Sequence, residues 1–341
     1  MKKVIKKIAA VALSGALVAS VFAGCSGKTD TNEADATSAA AKASYKIGIC
    51  QLVQHPALDE ATKGFKDKLT ALGEENGITF EFDEQNASGE KTNCTTINSK
   101  FVANQVDLIM ANATDAMTTA SQATADIPIV ATSITDYATA LGIKDWTGKT
   151  GFNVTGTSDL APLKDQAAMI KELVPDAKTV GILYCSAETN SKYQATVIAN
   201  EIKALGMTSK EYTFVDTNDV SAVTQQIVTD KCDVVFVPTD NTAASNTEAI
   251  NNILEPAKVP VIAGEEGICK GCGIATLSIS YYSIGEAAGE MAYDILVNGK
   301  NPGDMEIQYA KDLTKKYVAD RAKKVGVTIP DGYEAIDMTA E

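Results

Sequence analysis

The sequence predicts an α/β protein of two similar domains, each a doubly wound parallel sheet, with a ligand cleft between them. Three observations predict it. The chain has 341 residues, about twice a typical domain of roughly 150 residues. From Tyr45 onward, apolar strand-like runs alternate with helical stretches, which is the pattern of parallel sheets covered by helices. The alternation also repeats itself along the chain.

The predicted elements follow from periodicity, because strands show short apolar runs and helices show apolar residues three and four positions apart. The predicted strands are Lys46–Val53, Thr79–Glu84, Val106–Met110, Ile127–Ala131, Thr179–Tyr184, Glu211–Val215, Cys232–Val237 and Val259–Ala263. The predicted helices include Leu58–Leu72, Lys91–Asn104, Leu160–Leu173, Tyr193–Leu205 and Val220–Thr229.

The two halves of this array resemble each other. Gly48 and Gly181 occupy the same place in two similar strands, and Gly73 and Gly206 each end an Ala-Leu-Gly sequence. The differences 181 − 48 and 206 − 73 both equal 133. Landmarks that match in the same order at a constant spacing indicate two similar domains in tandem.

Composition disfavours nucleic-acid binding and catalysis. The formal net charge is −14, and so acidic a chain repels phosphates. His55 is the only histidine, which excludes most zinc sites and limits any Ser-His-Asp chemistry to that residue. G-x-S-x-G, P-loop and G-x-G-x-x-G motifs are missing from the sequence. We therefore expect a binding protein rather than an enzyme, with no metal and no cofactor.

The first residues indicate export. Four lysines within residues 1–7 precede an uncharged, apolar stretch from Ile8 to Ala23, which is typical of a secretory signal. The stretch ends in V-F-A-G-C, which resembles the bacterial lipobox and implies lipid attachment at Cys25. We expect a signal peptide over 1–24, then a lipidated Cys25 and a flexible tether over 25–44. An ordinary signal peptide with an incidental cysteine is the alternative.

The other six cysteines receive different interpretations. Cys50, Cys185 and Cys232 lie in or beside strand-like runs and are expected to be small buried hydrophobic residues. Cys94 lies on a predicted helix. The C-x-x-C sequence 269–272 lies in a glycine-rich stretch that we expect to form a loop, and its redox state stays open.

Four segments resemble the ABC transporter substrate-binding protein family, whose members are often associated with tryptophan, phenylalanine or tyrosine. The resemblance implies a type I periplasmic-binding-protein fold with three crossings between the domains. By this analogy the first domain comprises 45–156 and 280–300, with a helix at 282–297, and the second comprises 157–279 and 301–341. The segments are KIGICQLVQHPALDEATKGF, GFNVTGTSD, VPTDNT and GIATLSISYYSIGEAAGEMA.

Candidate ligand-binding residues lie in loops after the predicted strands, because open parallel sheets bind ligands beyond the carboxyl ends of their strands. Each polar member is also a good helix N-cap, which remains the alternative role. The candidates are Gln51, His55, Pro56, Asn112, Thr114, Thr132, Ser133, Tyr184, Asn190, Ser191, Thr239, Asp240, Asn241 and Glu265.

The three chemical groups of an amino-acid ligand suggest different roles for these candidates. Its ammonium needs an acidic acceptor, for which Asp240 is the first choice and Glu265 the second. Its carboxylate suits hydroxyls and helix N-termini, and Thr114, Thr132 and Ser133 fit that role. An aromatic side chain needs flat walls. His55, Pro56 and Tyr184 are expected to supply those walls, and His55 alternatively caps its own helix.

The resemblance implies a monomeric solute receptor of an ABC importer. It would bind an amino acid, aromatic by preference, and deliver it to a membrane permease from the outer face of the cytoplasmic membrane. Two alternatives stay open: the same fold binding a sugar or a purine-like molecule, or a module that signals to a membrane sensor. Sugar sites usually stack the ligand on tryptophan or phenylalanine, and Trp146 is the only tryptophan.

Lipid attachment has a direct test. Palmitate labelling should tag the wild-type protein and miss Cys25→Ser, because the substitution removes the thiol that carries the lipid. Immunoblotting of both proteins controls for expression. Labelling that survives the substitution contradicts lipidation at Cys25.

Overall fold

A computed structural model of the chain describes residues 43–338. Contacts group these residues into one compact unit. The predicted signal peptide, the predicted lipidation site Cys25 and the predicted tether up to residue 42 lie outside the described residues. Within the described range, no helix has both the length and the apolar character that crossing a membrane requires.

The described chain alternates strands with helices along most of its length. The strands are β1 (Ser44–Gln51), β2 (Thr79–Asn86), β3 (Leu108–Asn112), β4 (Ile129–Ile134), β5 (Val154–Ser158), β6 (Thr179–Cys185), β7 (Thr208–Phe214), β8 (Val234–Val237), β9 (Val261–Ala263), β10 (Ala275–Ser278), β11 (Gln308–Tyr309), β12 (Thr314–Tyr317) and β13 (Glu334–Ala335). The helices are α1 (Pro56–Asn76), α2 (Lys91–Ala103), α3 (Thr114–Ala123), α4 (Tyr137–Leu141), α5 (Leu163–Leu173), α6 (Thr189–Ala204), α7 (Val220–Thr229), α8 (Asn241–Ala244), α9 (Thr247–Leu254), α10 (Glu266–Cys272), α11 (Tyr281–Leu296) and α12 (Ala319–Val325).

These strands form two sheets of matching topology. The first has the order β2-β1-β3-β4-β5-β11, and the second has the order β7-β6-β8-β9-β10-β12-β13. Neighbouring strands are parallel, except that β12 runs antiparallel to β10. The shared order of the first five strands confirms the predicted α/β fold with two similar parallel-sheet domains.

We call these domains lobes. The first lobe comprises β1–β5, α1–α4, α11 and β11, and the second comprises α5–α10, β6–β10, β12, β13 and α12. Buried apolar side chains form the core of each lobe, and the strands β3, β4, β8 and β9 are buried at every position. Such strands suit the centre of a sheet that helices cover on both faces.

Two domain boundaries lie later in the chain than the sequence suggested. The predicted first domain stops at residue 156, but Ser158 still pairs with β4. The predicted second domain includes 301–341, but β11 pairs with β5 in the first sheet. The third crossing therefore falls between β11 and β12. A strand of two residues is too short to show a periodic pattern, so the sequence could not indicate to which lobe β11 belongs.

The six cysteines of residues 43–338 are buried thiols. Cys50, Cys185 and Cys232 lie in the cores as expected, and each is free. The C-x-x-C sequence forms part of α10 rather than the predicted loop, with Cys269 and Cys272 both free and buried. Because the Glu265 side chain accepts hydrogen bonds from the first N–H groups of α10, it starts a helix where the glycines indicated a loop.

Helix α11 packs unusually close to α1 because glycines remove side chains from their contact. A Cβ atom at Gly285 would lie 2.1 Å from the carbonyl oxygen of Ala61, and one at Gly64 would lie 2.2 Å from that of Tyr282. Both distances are far below van der Waals contact. The close packing fixes the first turn of α11, and Tyr281 in that turn reaches the cleft between the lobes.

Gly285→Ala should lower the melting temperature of the ligand-free protein. In an ordinary helix interior, glycine to alanine stabilises by about 1 kcal/mol. Here the added methyl group meets backbone, and such overpacking costs about 1–3 kcal/mol. Differential scanning calorimetry measures the sign. A melting temperature that rises on substitution contradicts the close contact of α1 with α11.

Candidate ligand-binding cleft

The two lobes meet along a cleft beyond the carboxyl ends of their parallel strands, where open α/β sheets bind ligands. Two side-chain hydrogen bonds cross it. His55 Nε2 lies 3.3 Å from Asn241 Oδ1, and Gln194 Nε2 donates to Thr135 Oγ1 at 3.4 Å. His55, Thr135 and Gln194 are all buried. The structure therefore has the cleft closed.

Asp159 is a fully buried carboxylate at the first crossing between the lobes. The Tyr281 hydroxyl donates to its Oδ2 at 2.8 Å, and Thr135 Oγ1 lies 3.5 Å from its Oδ1. Burial raises the pKa of Asp159 to about 6, and no cationic side chain of residues 43–338 offsets that effect. A buried carboxylate without a cation is costly, so this position needs an explanation.

A chain of hydrogen bonds connects Asp159 to the second lobe. Thr135, which lies beside Asp159, accepts from Gln194 at 3.4 Å. The Thr239 side chain lies near the Tyr281 hydroxyl that donates to Asp159. The backbone of Thr239 is held in turn by the Gln194 side chain, which accepts from its N–H at 3.1 Å and donates to its carbonyl at 3.0 Å. Closing the lobes therefore completes the polar surroundings of Asp159.

Asp240, the first choice for the ammonium, caps helix α8 from inside the second lobe. Its Oδ1 accepts from the N–H of Ala243 at 2.7 Å, and its Oδ2 accepts from the N–H of Cys185 at 2.7 Å. The Ser191 side chain lies beside it, while burial and the nearby Glu188 carboxylate raise the pKa of Asp240 to about 8. Backbone N–H groups thus occupy both of its oxygens, of which Oδ1 makes the helix cap.

Glu265, the second choice, has a similar position at the start of α10. Its two oxygens accept from the N–H groups of Gly267, at 2.5 Å, and Ile268. Burial raises the pKa of Glu265 to about 7. Both carboxylates that the sequence offered for the ammonium are therefore committed to helix starts in the second lobe.

Three other candidates bond within their own lobe. Gln51 donates to Asp59 Oδ1 at 2.6 Å, and Asn112 donates to the carbonyl of Leu58 at 2.8 Å. Both contacts hold α1 against its sheet. The Tyr184 hydroxyl donates to Glu211 at 2.6 Å on the edge strand β7, so this ring is held away from the cleft by its own sheet.

The remaining second-lobe candidates build one network. Asn190 donates to Glu188 Oε2 at 3.0 Å and to the carbonyl of Thr239 at 3.2 Å. Asn241 donates through Nδ2 to Glu188 Oε2 at 2.8 Å. Ser191 is buried against Asp240. This network holds the second-lobe face of the cleft rigid.

In the first lobe, Thr132 Oγ1 accepts from Thr157 at 2.9 Å inside the sheet. Thr114 begins α3 and lines a narrow gap that faces Asn190 across the cleft. Pro56 begins α1 and lines a side cavity of about 350 Å³ together with Glu265. Thr132, Thr114 and Pro56 therefore lie in three different places and do not contact one common point.

Three buried polar atoms of first-lobe candidates have no hydrogen-bond partner among the described residues: His55 Nδ1, Asn112 Oδ1 at the end of β3 and Ser133 Oγ in β4. Ser133 also has a φ of 58°, a strained conformation that is often found at functional sites. His55 does not cap α1 with its side chain, and burial lowers the pKa of its imidazole. Unpaired buried polar atoms are rare, and these three belong to residues that the sequence had offered as ligand contacts.

Five residues of the cleft were not among the candidates chosen from the sequence. Asp159 ends the G-F-N-V-T-G-T-S-D segment, which was interpreted only as part of the family resemblance. Its position after a strand was the signal available. Thr135 and Glu188 lie in the loops after β4 and β6, where ligand contacts were expected but these two residues were not chosen. Gln194 and Tyr281 lie in helices α6 and α11 and had no distinctive pattern.

Comparison with known proteins identifies the family. The family model described as ABC transporter substrate binding protein matches residues 46–337. The chain belongs to this family. A tyrosine-binding protein of Clostridioides difficile strain R20291 is 36% identical over 305 residues, which are 89% of this chain and 87% of that protein. Proteins of this family bind solutes outside the cytoplasm and are not enzymes.

Two solved structures superpose on this chain to different extents. An ABC domain in complex with L-Trp from Streptococcus pneumonia is 31% identical, with a TM-score of 0.80 over 86% of this chain and 100% of that one. The ligand-free, open structure of a substrate-binding protein with adhesive properties from Clostridium difficile is 35% identical, with a TM-score of 0.66 over 86% and 99%. The better match to the complex agrees with the closed cleft of this substrate-binding protein.

More distant structures show the fold alone. A glucose-galactose binding protein from Geobacillus stearothermophilus is 13% identical, with a TM-score of 0.57 over 80% of this chain and 97% of that one. Together with the sheet order, these neighbours confirm the type I periplasmic-binding-protein fold that the resemblance implied.

Proposed function

We propose that this chain is a monomeric lipoprotein receptor that binds an aromatic amino acid, tyrosine or tryptophan, in the cleft and delivers it to the permease of an ABC importer. Lipidation at Cys25 would hold it at the outer face of the membrane. The observation that carries the proposal is the buried carboxylate of Asp159, which has no cationic partner among residues 43–338. Relatives described with tyrosine and with L-Trp support the ligand class.

An α-ammonium group accounts for the surroundings of Asp159. The carboxylate is completely buried, and its two protein partners are neutral hydroxyls. A ligand cation would supply the missing charge and lower the pKa of Asp159, since an opposite charge favours the ionised form. A neutral sugar offers only hydroxyls and leaves the charge unpaired. The arrangement therefore favours an amino acid over a sugar.

Neutral hydrogen-bond donors, rather than an arginine, would bind the carboxylate of the ligand. Arg321 is the only arginine in the chain. Its guanidinium donates to four carbonyls, those of residues 269, 270, 271 and 273 at the end of α10. Charge-assisted contacts of this kind cap the negative end of a helix. The unpaired Ser133 hydroxyl and the N–H groups at the start of α3, near Thr114, remain suitable for the carboxylate.

Asp159→Asn tests the proposed ammonium contact. The amide can still accept from Tyr281, but it carries no charge. Leaving a buried cation unpaired costs about 2–5 kcal/mol, so tyrosine and tryptophan should bind at least about thirtyfold more weakly. Calorimetric titration at pH 7.5 measures the change. The ligand-free melting temperature should not fall, because the substitution removes a buried charge.

Asp240→Asn is the matched control. Its new NH₂ group faces the N–H of Cys185 or that of Ala243, since Asp240 accepts from both. The melting temperature should therefore fall by several degrees, while the folded protein keeps its tyrosine affinity within about threefold. Undiminished tyrosine binding by Asp159→Asn, or a large loss confined to Asp240→Asn, contradicts the proposed contact.

A further inference from the structure

The side chain of His55 connects the two lobes. It precedes Pro56 with extended backbone, and its side chain makes no hydrogen bond to the first turn of α1. Instead, its Nε2 reaches Asn241 Oδ1 on the second lobe at 3.3 Å. The ring is 7% exposed, so closing the cleft removes it from water almost completely.

The partner of His55 is held in one orientation. The Nδ2 group of Asn241 donates to Glu188 Oε2 at 2.8 Å, and its backbone N–H donates to the same oxygen at 3.1 Å. The amide oxygen of Asn241 is therefore the atom that faces His55. Because an oxygen accepts, Nε2 must carry the hydrogen, and Nδ1 of the neutral ring has only its lone pair.

Nδ1 is the proton-sensitive atom. It is buried and has no hydrogen-bond partner among the described residues. A proton added there would be an unpaired buried donor on a charged ring. Glu188, from the loop before α6, and Asp59, on α1, face the ring and favour its protonation, but burial outweighs them and lowers the pKa of His55. Helix α8 adds no titratable side chain to this contact.

We propose that His55 is a positioning residue which acts through Asn241 as a latch, holding the two lobes closed over the ligand until the imidazole takes up a proton. The latch deepens the proposed function, because it determines how long the bound amino acid is retained. Its effect has a definite sign. A histidine exposed in the open form has a pKa of about 6.5, so closure is fully favoured above that pH and is progressively lost below it.

Two variants separate the hydrogen bond from the titration. His55→Gln keeps an amide N–H that can donate to Asn241, but it does not titrate. His55→Ala removes both. The rate of release of bound tyrosine, chased with excess unlabelled tyrosine at pH 7.5 and 5.5, measures the latch. Asp159 is present in all three proteins, so its own titration cancels in the comparison.

At pH 7.5, His55→Ala should release tyrosine about three- to tenfold faster than the wild type, the effect of one neutral hydrogen bond. His55→Gln should release tyrosine more slowly than His55→Ala, because it keeps the hydrogen bond to Asn241. Between pH 7.5 and 5.5 the wild type should accelerate about tenfold more than His55→Gln, from one proton taken up with a pKa of about 6.5. Equal acceleration of these two proteins overturns the latch and leaves the proposed function intact.

Scattering of the ligand-free proteins tests the latch without relying on the ligand. The radius of gyration of the wild type should increase between pH 7.5 and 5.5, and that of His55→Gln should change less. Equal radii for the two proteins at both pH values overturn the latch. Failure of all three proteins to bind tyrosine or tryptophan contradicts the proposed function alone, because the scattering comparison still decides the latch.

Discussion

The organisation of the cleft depends on one constraint, the burial of the Asp159 carboxylate at the crossing between the lobes. Its protein partners are hydroxyls, of which the closest is Tyr281 at 2.8 Å. That hydroxyl is in place because glycines let α11 approach α1 at backbone contact. Thr239 of the second lobe, held by Gln194, lies near the same hydroxyl. The packing of α11 on α1, the crossing between the lobes and the closure of the cleft therefore all determine the surroundings of the Asp159 carboxylate.

The other buried acids of the cleft act differently. Glu265 accepts two N–H groups at the start of α10. Asp240 accepts one at the start of α8 and one from Cys185 at the end of β6, and Glu188 accepts from the N–H groups of Asn241 and Thr242. A carboxylate at a helix start is stabilised by unpaired N–H groups. These three residues thus hold the second-lobe face, while the first lobe presents the unpaired atoms of His55, Asn112 and Ser133. The two duplicated lobes have different roles in the site.

Much of the fold was readable from the sequence because it rests on local patterns. Strand and helix periodicity predicted the parallel sheets, and the 133-residue spacing of Gly48 and Gly181 predicted their duplication. The edge strand β11 was not predictable, because two residues are too few to show a periodic pattern. Helix α10 was also missed, because its glycines suggested a loop and only a side-chain cap by Glu265 favours the helix.

The site was less predictable because capping and ligand binding use the same residue types at the same places. Asp240 follows a strand and precedes a helix, and only its distances to two N–H groups distinguish the roles. Asp159 also follows a strand, but no helix starts directly after it, and its isolation from cations arises from tertiary packing. His55 was recognised as a cleft residue, but its partner on the opposite lobe was not predictable from local sequence.

A crystal structure of the protein grown with tyrosine tests the central claim most directly. The account predicts the ligand between closed lobes, with its ammonium nitrogen about 2.7–3.2 Å from a carboxylate oxygen of Asp159. An ammonium bound instead by Asp240 or Glu265, or a ligand that leaves Asp159 without a cationic partner, would contradict it.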